Sequence, residues 1–230
     1  MPEIGPLVDF PWLLERVDML ALRTAEHVWL TAIAVGAGFA ISFGLALLIR
    51  RLPIAYGPIT AAASILYAIP SLALFALLVP IIGRSVLTVE IALVGYTLLI
   101  LVHNIVAGFR SVPAEVIDAA DALGYTAWGR LWRVELPLAL PIIVAGLRIA
   151  TVTTIGLVTV AALIAPWGLG FLITDGFRRF FPTLYLTGAA LSVALAMIAD
   201  ALFVALERRV TPWTRPAEPP TTPERATAAG

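Results

Sequence analysis

Residues 118–137 read DAADALGYTAWGRLWRVELP. This short segment gathers Asp118, Asp121, Arg130, Arg133 and Glu135 around Trp128 and Trp132, while long runs of Leu, Ile, Val and Ala flank it on both sides. An otherwise apolar chain interrupts itself here, and it does so with a particular spacing of small and charged residues.

The stretch SVPAEVIDAADALG reads as a short helix. Pro113 suits the first helical position, where its missing N–H costs nothing. Glu115 and Asp118 lie toward the positive end of the helix dipole, and Gly124 is placed for the left-handed residue that ends a helix. Ala119, Ala120 and Leu123 would then form a narrow apolar face able to settle into a groove on a partner. Thr126 is placed to cap a second short helix carrying Trp128, Leu131 and Trp132. Pro137 is expected to start the next apolar segment, where the chain turns back. Shape alone serves an ordinary interfacial loop equally well.

The surroundings set the solvent. The chain has 230 residues, 60% hydrophobic and 13% charged, with mean hydropathy +0.97, against roughly 25% charged in soluble domains. Several apolar runs exceed the ~18 residues of a bilayer-spanning helix. The pattern predicts an all-α integral membrane protein with about five transmembrane helices, near 28–49, 59–82, 86–109, 138–164 and 184–206. Residues 1–26 read as an extracytoplasmic or interfacial segment with an amphipathic helix from about Pro11 to Glu26, and without the pattern of a signal peptide. Residues 27–210 form the transmembrane domain, with a polar loop at 111–137. Residues 211–230, rich in Pro, Thr and Ala, read as a disordered tail.

Arginines set the orientation, because they concentrate on the cytoplasmic side. One set of span ends carries Arg50, Arg51, Arg110, Arg130, Arg133, Arg208 and Arg209. The other carries Arg84, Arg178 and Arg179, with Arg16 and Arg23 before the first span. The larger set faces the cytoplasm, which places 111–137 there, the N-terminus outside and the C-terminus inside.

Absences narrow the chemistry. There is no Cys, which removes disulfides and thiolate sites, and all fifteen basic residues are Arg. Without Lys there is no phosphate-binding G-x-x-x-x-G-K-[ST] loop and no Schiff-base amine. The two histidines, His27 and His103, form no H-E-x-x-H, and G-x-S-x-G does not occur. No catalytic residue and no metal site is expected, and zero net charge argues against a nucleic-acid partner. If ATP is used, another chain binds it.

The spacing then becomes specific. Asp118-Ala119-Ala120, three residues, Gly124, nine residues, Val134-x-Leu136-Pro137 resembles the "EAA" motif of permease subunits in binding-protein-dependent ABC importers. Asp replaces Glu and Val replaces Ile. The resemblance implies a type I, methionine-importer-like permease fold in a bacterial cytoplasmic membrane. In that family this loop is the coupling helix that docks on an ATPase subunit. Glu115, Asp118, Ala119, Ala120, Leu123, Gly124, Val134, Leu136 and Pro137 are carried over as coupling residues. The implied partners are ATPase subunits holding ATP and Mg, a second permease subunit (identical or similar) and an extracytoplasmic substrate-binding protein. AIPSLAL at 68–74, HNIVAG at 103–108, VELPLALPIIVA at 134–145, and AALI before Gly168-Leu169-Gly170 look like the glycine betaine/carnitine/choline branch, which imports quaternary-ammonium osmoprotectants. Pro166-Trp167 departs from that branch. An amino acid such as methionine as cargo, or an ATP-independent channel or secondary transporter, remain open alternatives.

Polar groups within the spans complete the expectations. Pro70 should kink the second span, and with Tyr67 and Ser71 marks a pore-facing break or a packing kink. Thr151, Thr154 and Thr159 either line a path or bond their own backbone. Tyr67, Phe75 and Tyr96 offer aromatic faces to a quaternary ammonium ion. Asp200 is expected to bond Arg148 or another cytoplasmic-side Arg. Glu90 is expected to reach water at the outer end. Ala34/Gly38, Gly36/Ala40 and Ala40/Gly44 suit close helix packing, within the chain or between subunits.

Overall fold

The computed structural model describes residues 8–210; the first seven residues and the tail expected over 211–230 lie outside the described part. Within it the chain is helical, with no strand among the described residues.

A short helix α1, Phe10–Leu14, is capped by the Asp9 carboxylate, which accepts the Trp12 N–H. Helix α2, Val17–Arg51, then runs 35 residues unbroken. The interfacial helix expected up to Glu26 is therefore not a separate element: residues 17–26 continue the helix of the first span. No Gly or Pro interrupts 17–35. Met19 and Leu20 pack under the last two helices, and Arg23 and Glu26 find partners in an outer loop.

The second span is not kinked but broken. Helices α3, Tyr56–Ala68, and α4, Ser71–Ile82, meet at 95°. A residue before proline avoids the helical region, and Ile69 is extended, with ψ 125°. Pro70 cannot donate to the Leu66 carbonyl, which takes the Ile69 N–H at 3.3 Å instead. The Ile69 carbonyl accepts the Tyr96 hydroxyl.

Helix α5, Val86–Arg110, is capped by Ser85 and packs parallel to α2. Leu30 shares the outer apolar core with Val89, Gly38 abuts Thr97, and Ile49 shares the inner core with Ile105. Parallel neighbours require the chain to cross between them, so the bent pair is one crossing. Helices α6, Ala114–Ala122, and α7, Ala127–Arg130, lie in the loop. Helix α8, Leu136–Ala161, returns antiparallel to α5, with Gly108 against Ala139 and Asn104 against Gly146. Helices α9, Leu169–Arg178, and α10, Pro182–Val210, form an antiparallel pair in which Gly188 admits Leu172 and Ile173. Four long helices and the bent pair give the five expected crossings.

The small residues of α2 divide by face. Ala34 and Gly38 are buried within the chain, whereas Gly36, Ala40 and Gly44 are exposed. Arg148 and Asp200 form the expected pair, a two-point contact joining α8 to α10. Glu90 does not reach water. It lies two turns before Thr97 on the α5 face that meets α2, is buried, and neither oxygen has a hydrogen-bond partner among the described residues.

Candidate functional site

The loop between α5 and α8 is built by two capping motifs. Pro113 is the N-cap of α6, one residue earlier than expected, because its ψ of 141° leaves it outside the helix. At the other end Gly124 has φ +80°. Its N–H donates to the Asp121 carbonyl at 2.9 Å, and the Tyr125 N–H donates to the Ala120 carbonyl at 3.1 Å. Those two bonds define a Schellman motif with glycine at the left-handed position. The chain reverses and Thr126 caps α7, its Oγ1 accepting the Gly129 N–H at 3.1 Å.

Pro137 does not begin a new segment, contrary to expectation. From Ala127 to Ala161 the backbone stays helical through a π turn over Leu131–Glu135, where the Leu136 N–H donates to the Leu131 carbonyl. That turn shifts the bonding register just before a residue with no N–H to offer.

The charges that make the segment polar chiefly knit it to the membrane domain. Glu135 is buried, at 3% exposure. Its Oε1 accepts Arg50 Nη2 from the end of α2 at 2.5 Å and Arg130 Nε at 2.9 Å. Arg130 also pairs with Asp121 on α6. Four side chains thus connect the loop helix, the base of α8 and the inner end of α2. A buried carboxylate is tolerated where it is both paired and hydrogen-bonded.

The outward surface is what remains. Leu123 is 79% exposed, and Trp128 and Trp132 stand out edge-to-face at 5.5 Å, with Trp132 against Phe43 at 6.1 Å. With Gly124, Tyr125 and Arg133 they line a cleft of ≈ 660 Å³. Glu115, Asp118 and Ala119 are also exposed. Ala120 is not part of this face: at 4% exposure it packs inward. Val134, Leu136 and Pro137 are half-buried, and Leu136 packs on the inner core. The nine coupling candidates therefore divide into a presented set and an anchoring set.

The path candidates separate in the same way. Tyr67 and Pro70 are exposed at the break and Ser71 is half-buried. Tyr67 stands edge-to-face with Tyr96 at 5.9 Å. Phe75 and Tyr96 are buried. The Thr151, Thr154 and Thr159 hydroxyls donate to the Leu147, Ala150 and Gly156 carbonyls at 2.8, 2.7 and 2.6 Å. Thr154 is closed inside the subunit.

Sequence reasoning missed a second cluster at the outer end. Glu26 Oε2 accepts the Gly168 N–H at 2.9 Å, and Arg23 donates to the Pro166 carbonyl at 2.9 Å. His27 Nδ1 accepts the Leu169 N–H at 3.2 Å, which leaves Nε2 to donate to the Ile155 carbonyl at 3.0 Å. Arg84 holds the Ile164 and Leu163 carbonyls at 3.1 and 3.3 Å. The only signal in the sequence was charge at the start of an apolar span.

The described residues thus form a five-crossing helical membrane protein with one capped loop bound to its span ends. The chain belongs to the family described as the binding-protein-dependent transport system inner membrane component, whose profile matches residues 36–212. It is thus a multi-pass inner-membrane permease. It is 36% identical over 206 residues to the "Osmoprotectant import permease protein OsmW" of Salmonella typhimurium, covering 87% of this chain and 96% of that one. It is 33% identical over 193 residues to the "Glycine betaine/carnitine/choline transport system permease protein OpuCB" of Bacillus subtilis, covering 84% and 89%. A chain of the MetNI methionine ABC transporter, solved in an inward-facing conformation, shares the fold at TM-score 0.74 and 21% identity, covering 89% of this chain and 100% of that one.

Proposed function

We propose that this chain is the permease subunit of an ATP-driven importer for quaternary-ammonium osmoprotectants of the glycine betaine, choline and carnitine kind. One observation carries the coupling: an Asp118-Ala119-Ala120…Gly124 helix, closed by a Schellman turn, whose neighbours Arg130 and Glu135 bind it to α2. The relatives' names support the cargo class.

ATP and Mg are bound by separate ATPase subunits, since this chain has no Lys for a phosphate loop. Leu123, Trp128 and Trp132 are the apolar contacts offered to that partner, and Glu115, Asp118 and Ala119 flank them. ATPase closure pushes the loop, and the helices it is bound to open alternately to the two sides. An extracytoplasmic binding protein delivers the solute.

The path runs past the α3–α4 break. Interrupted backbone within a membrane is tolerated only against protein or a water-filled cavity, and the Ser71, Leu72 and Ala73 N–H groups begin a helix with no side-chain cap. A second permease subunit facing this break would enclose it. Tyr67 presents an aromatic face to a passing cation, while Thr151, whose hydroxyl donates to the Leu147 carbonyl, has only acceptor lone pairs left to offer.

The test is uptake of radiolabelled betaine, choline and carnitine by the complex reconstituted with its ATPase and binding protein. The proposal requires accumulation that depends on ATP. Accumulation that ignores ATP and collapses with an ion gradient would identify a secondary transporter. ATP-driven accumulation of methionine alone would replace the cargo.

A further inference from the structure

We infer that α2 is a strut that carries movement of the cytoplasmic loop to the outer loop at 162–168, with Arg50 as the positioning residue at its inner end. The inference rests on the ATP-driven reading above and adds the route by which force crosses the membrane.

The two ends of α2 are the two polar clusters already described. At the inner end Arg50 reaches Glu135, which Arg130 joins to Asp121 on the loop helix. At the outer end three residues within one turn hold the outer loop: Arg23 takes the Pro166 carbonyl, Glu26 the Gly168 N–H and His27 the Leu169 N–H. Gly168, at φ +70°, sits so close that a Cβ there would lie 3.2 Å from His27 Nδ1 and 3.4 Å from its Cα. The outer loop thus rests directly on α2.

Between these ends the helix is unbroken. From Glu26 to Arg50 it spans about 36 Å at 1.5 Å per residue. The other crossings differ in kind. The α3–α4 crossing is broken at Ile69-Pro70. The helix from Ala127 to Ala161 is joined covalently to both loops but carries a π turn and two prolines, Pro137 and Pro141. Helix α5 is also unbroken, and Arg84 just before its cap holds the same loop, but it is joined to the coupling loop covalently. Among the described residues α2 is joined to the two loops by side chains rather than by the backbone, so one substitution can release it without cutting the chain. Both arginines converge on a single Glu135 oxygen, so displacement of α6 through Arg130 is felt at Arg50.

The absence of cysteine from the chain gives a clean reporter. Trp167→Cys places one thiol on the exposed outer loop, and its maleimide labelling rate is measured in the permease–ATPase complex with and without ATP and vanadate. Nucleotide should change that rate by roughly fivefold or more, the usual scale of coupling between two sites. Arg50→Ala should abolish the change while the ATPase subunit still co-purifies and hydrolyses ATP, and Arg50→Lys should restore part of it. A response undiminished in Arg50→Ala overturns the strut. Should Arg50→Ala instead lose the ATPase subunit, Glu26→Ala decides, because it lies at the far end: a normal response there also overturns the strut. An unsubstituted complex that never binds an ATPase overturns the ATP-driven reading itself.

Discussion

Replacing Gly124 by alanine isolates the backbone cost of the loop's turn. Gly124 holds φ +80°, and a Cβ built there meets nothing within 4 Å. No clash adds to the result. The penalty is that of placing an L-residue in the left-handed region, about 1–2 kcal/mol. That converts to a loss of roughly 5- to 30-fold in the equilibrium between closed and open turn. The bonds at risk are Gly124 N–H to Asp121 O and Tyr125 N–H to Ala120 O. Amide hydrogen exchange in lipid nanodiscs reads them directly: protection of the Tyr125 amide should fall by that factor, with α5 amides unchanged. Asparagine, which tolerates this conformation, should lose less than alanine. ATPase association should weaken in the same order, because Leu123 is presented by this turn. Unchanged protection in Gly124→Ala, or asparagine behaving as badly as alanine, would refute the reasoning.

Helix α9 ends in the same motif with the opposite residue: Phe180, at φ 53°, occupies the glycine position and is 90% exposed, so Phe180→Gly should raise exchange protection of the Phe181 amide by about fivefold. A Cβ at Gly170 would lie 2.3 Å from the Thr159 carbonyl oxygen. Gly170→Ala must therefore displace backbone and should destabilise the α8–α9 junction by about 1–3 kcal/mol, read as a lower unfolding midpoint in detergent. Asp200→Ala leaves Arg148 without its carboxylate partner and should lower the amount of folded permease in membranes, while joint replacement of both by leucine should restore it.

The spans were legible because hydropathy and length depend on the solvent rather than on neighbours. The turn at Gly124, the cap at Thr126 and the Asp200–Arg148 pair were legible because they are local or follow from the cost of isolated charge in lipid. What failed was whatever depends on packing. Pro70 announced a kink, yet the 95° break needs Tyr96, on another helix, to satisfy the Ile69 carbonyl. Ala120 belonged by spacing to a docking face, but a nine-residue helix lying on the domain must turn one side inward. Nothing in the sequence marks the charges of the loop as pairing inward, yet Arg130 and Arg50 both bind Glu135. Arg50 itself looked like a topology signal. Glu26 falls at the end of the expected N-terminal segment and His27 at the first residue of the expected membrane domain, and nothing in a one-dimensional pattern pairs them with residues more than a hundred positions away.

The account depends on a cytoplasmic loop that grips an ATPase, and Leu123 is its most exposed apolar residue. The direct measurement is labelling of Leu123→Cys, the only thiol then in the chain, with a membrane-impermeant maleimide in right-side-out and inside-out vesicles. Labelling should occur only from the cytoplasmic face and should be blocked when the ATPase subunits are bound. Reaction from the outer face, or labelling indifferent to the ATPase, would contradict it.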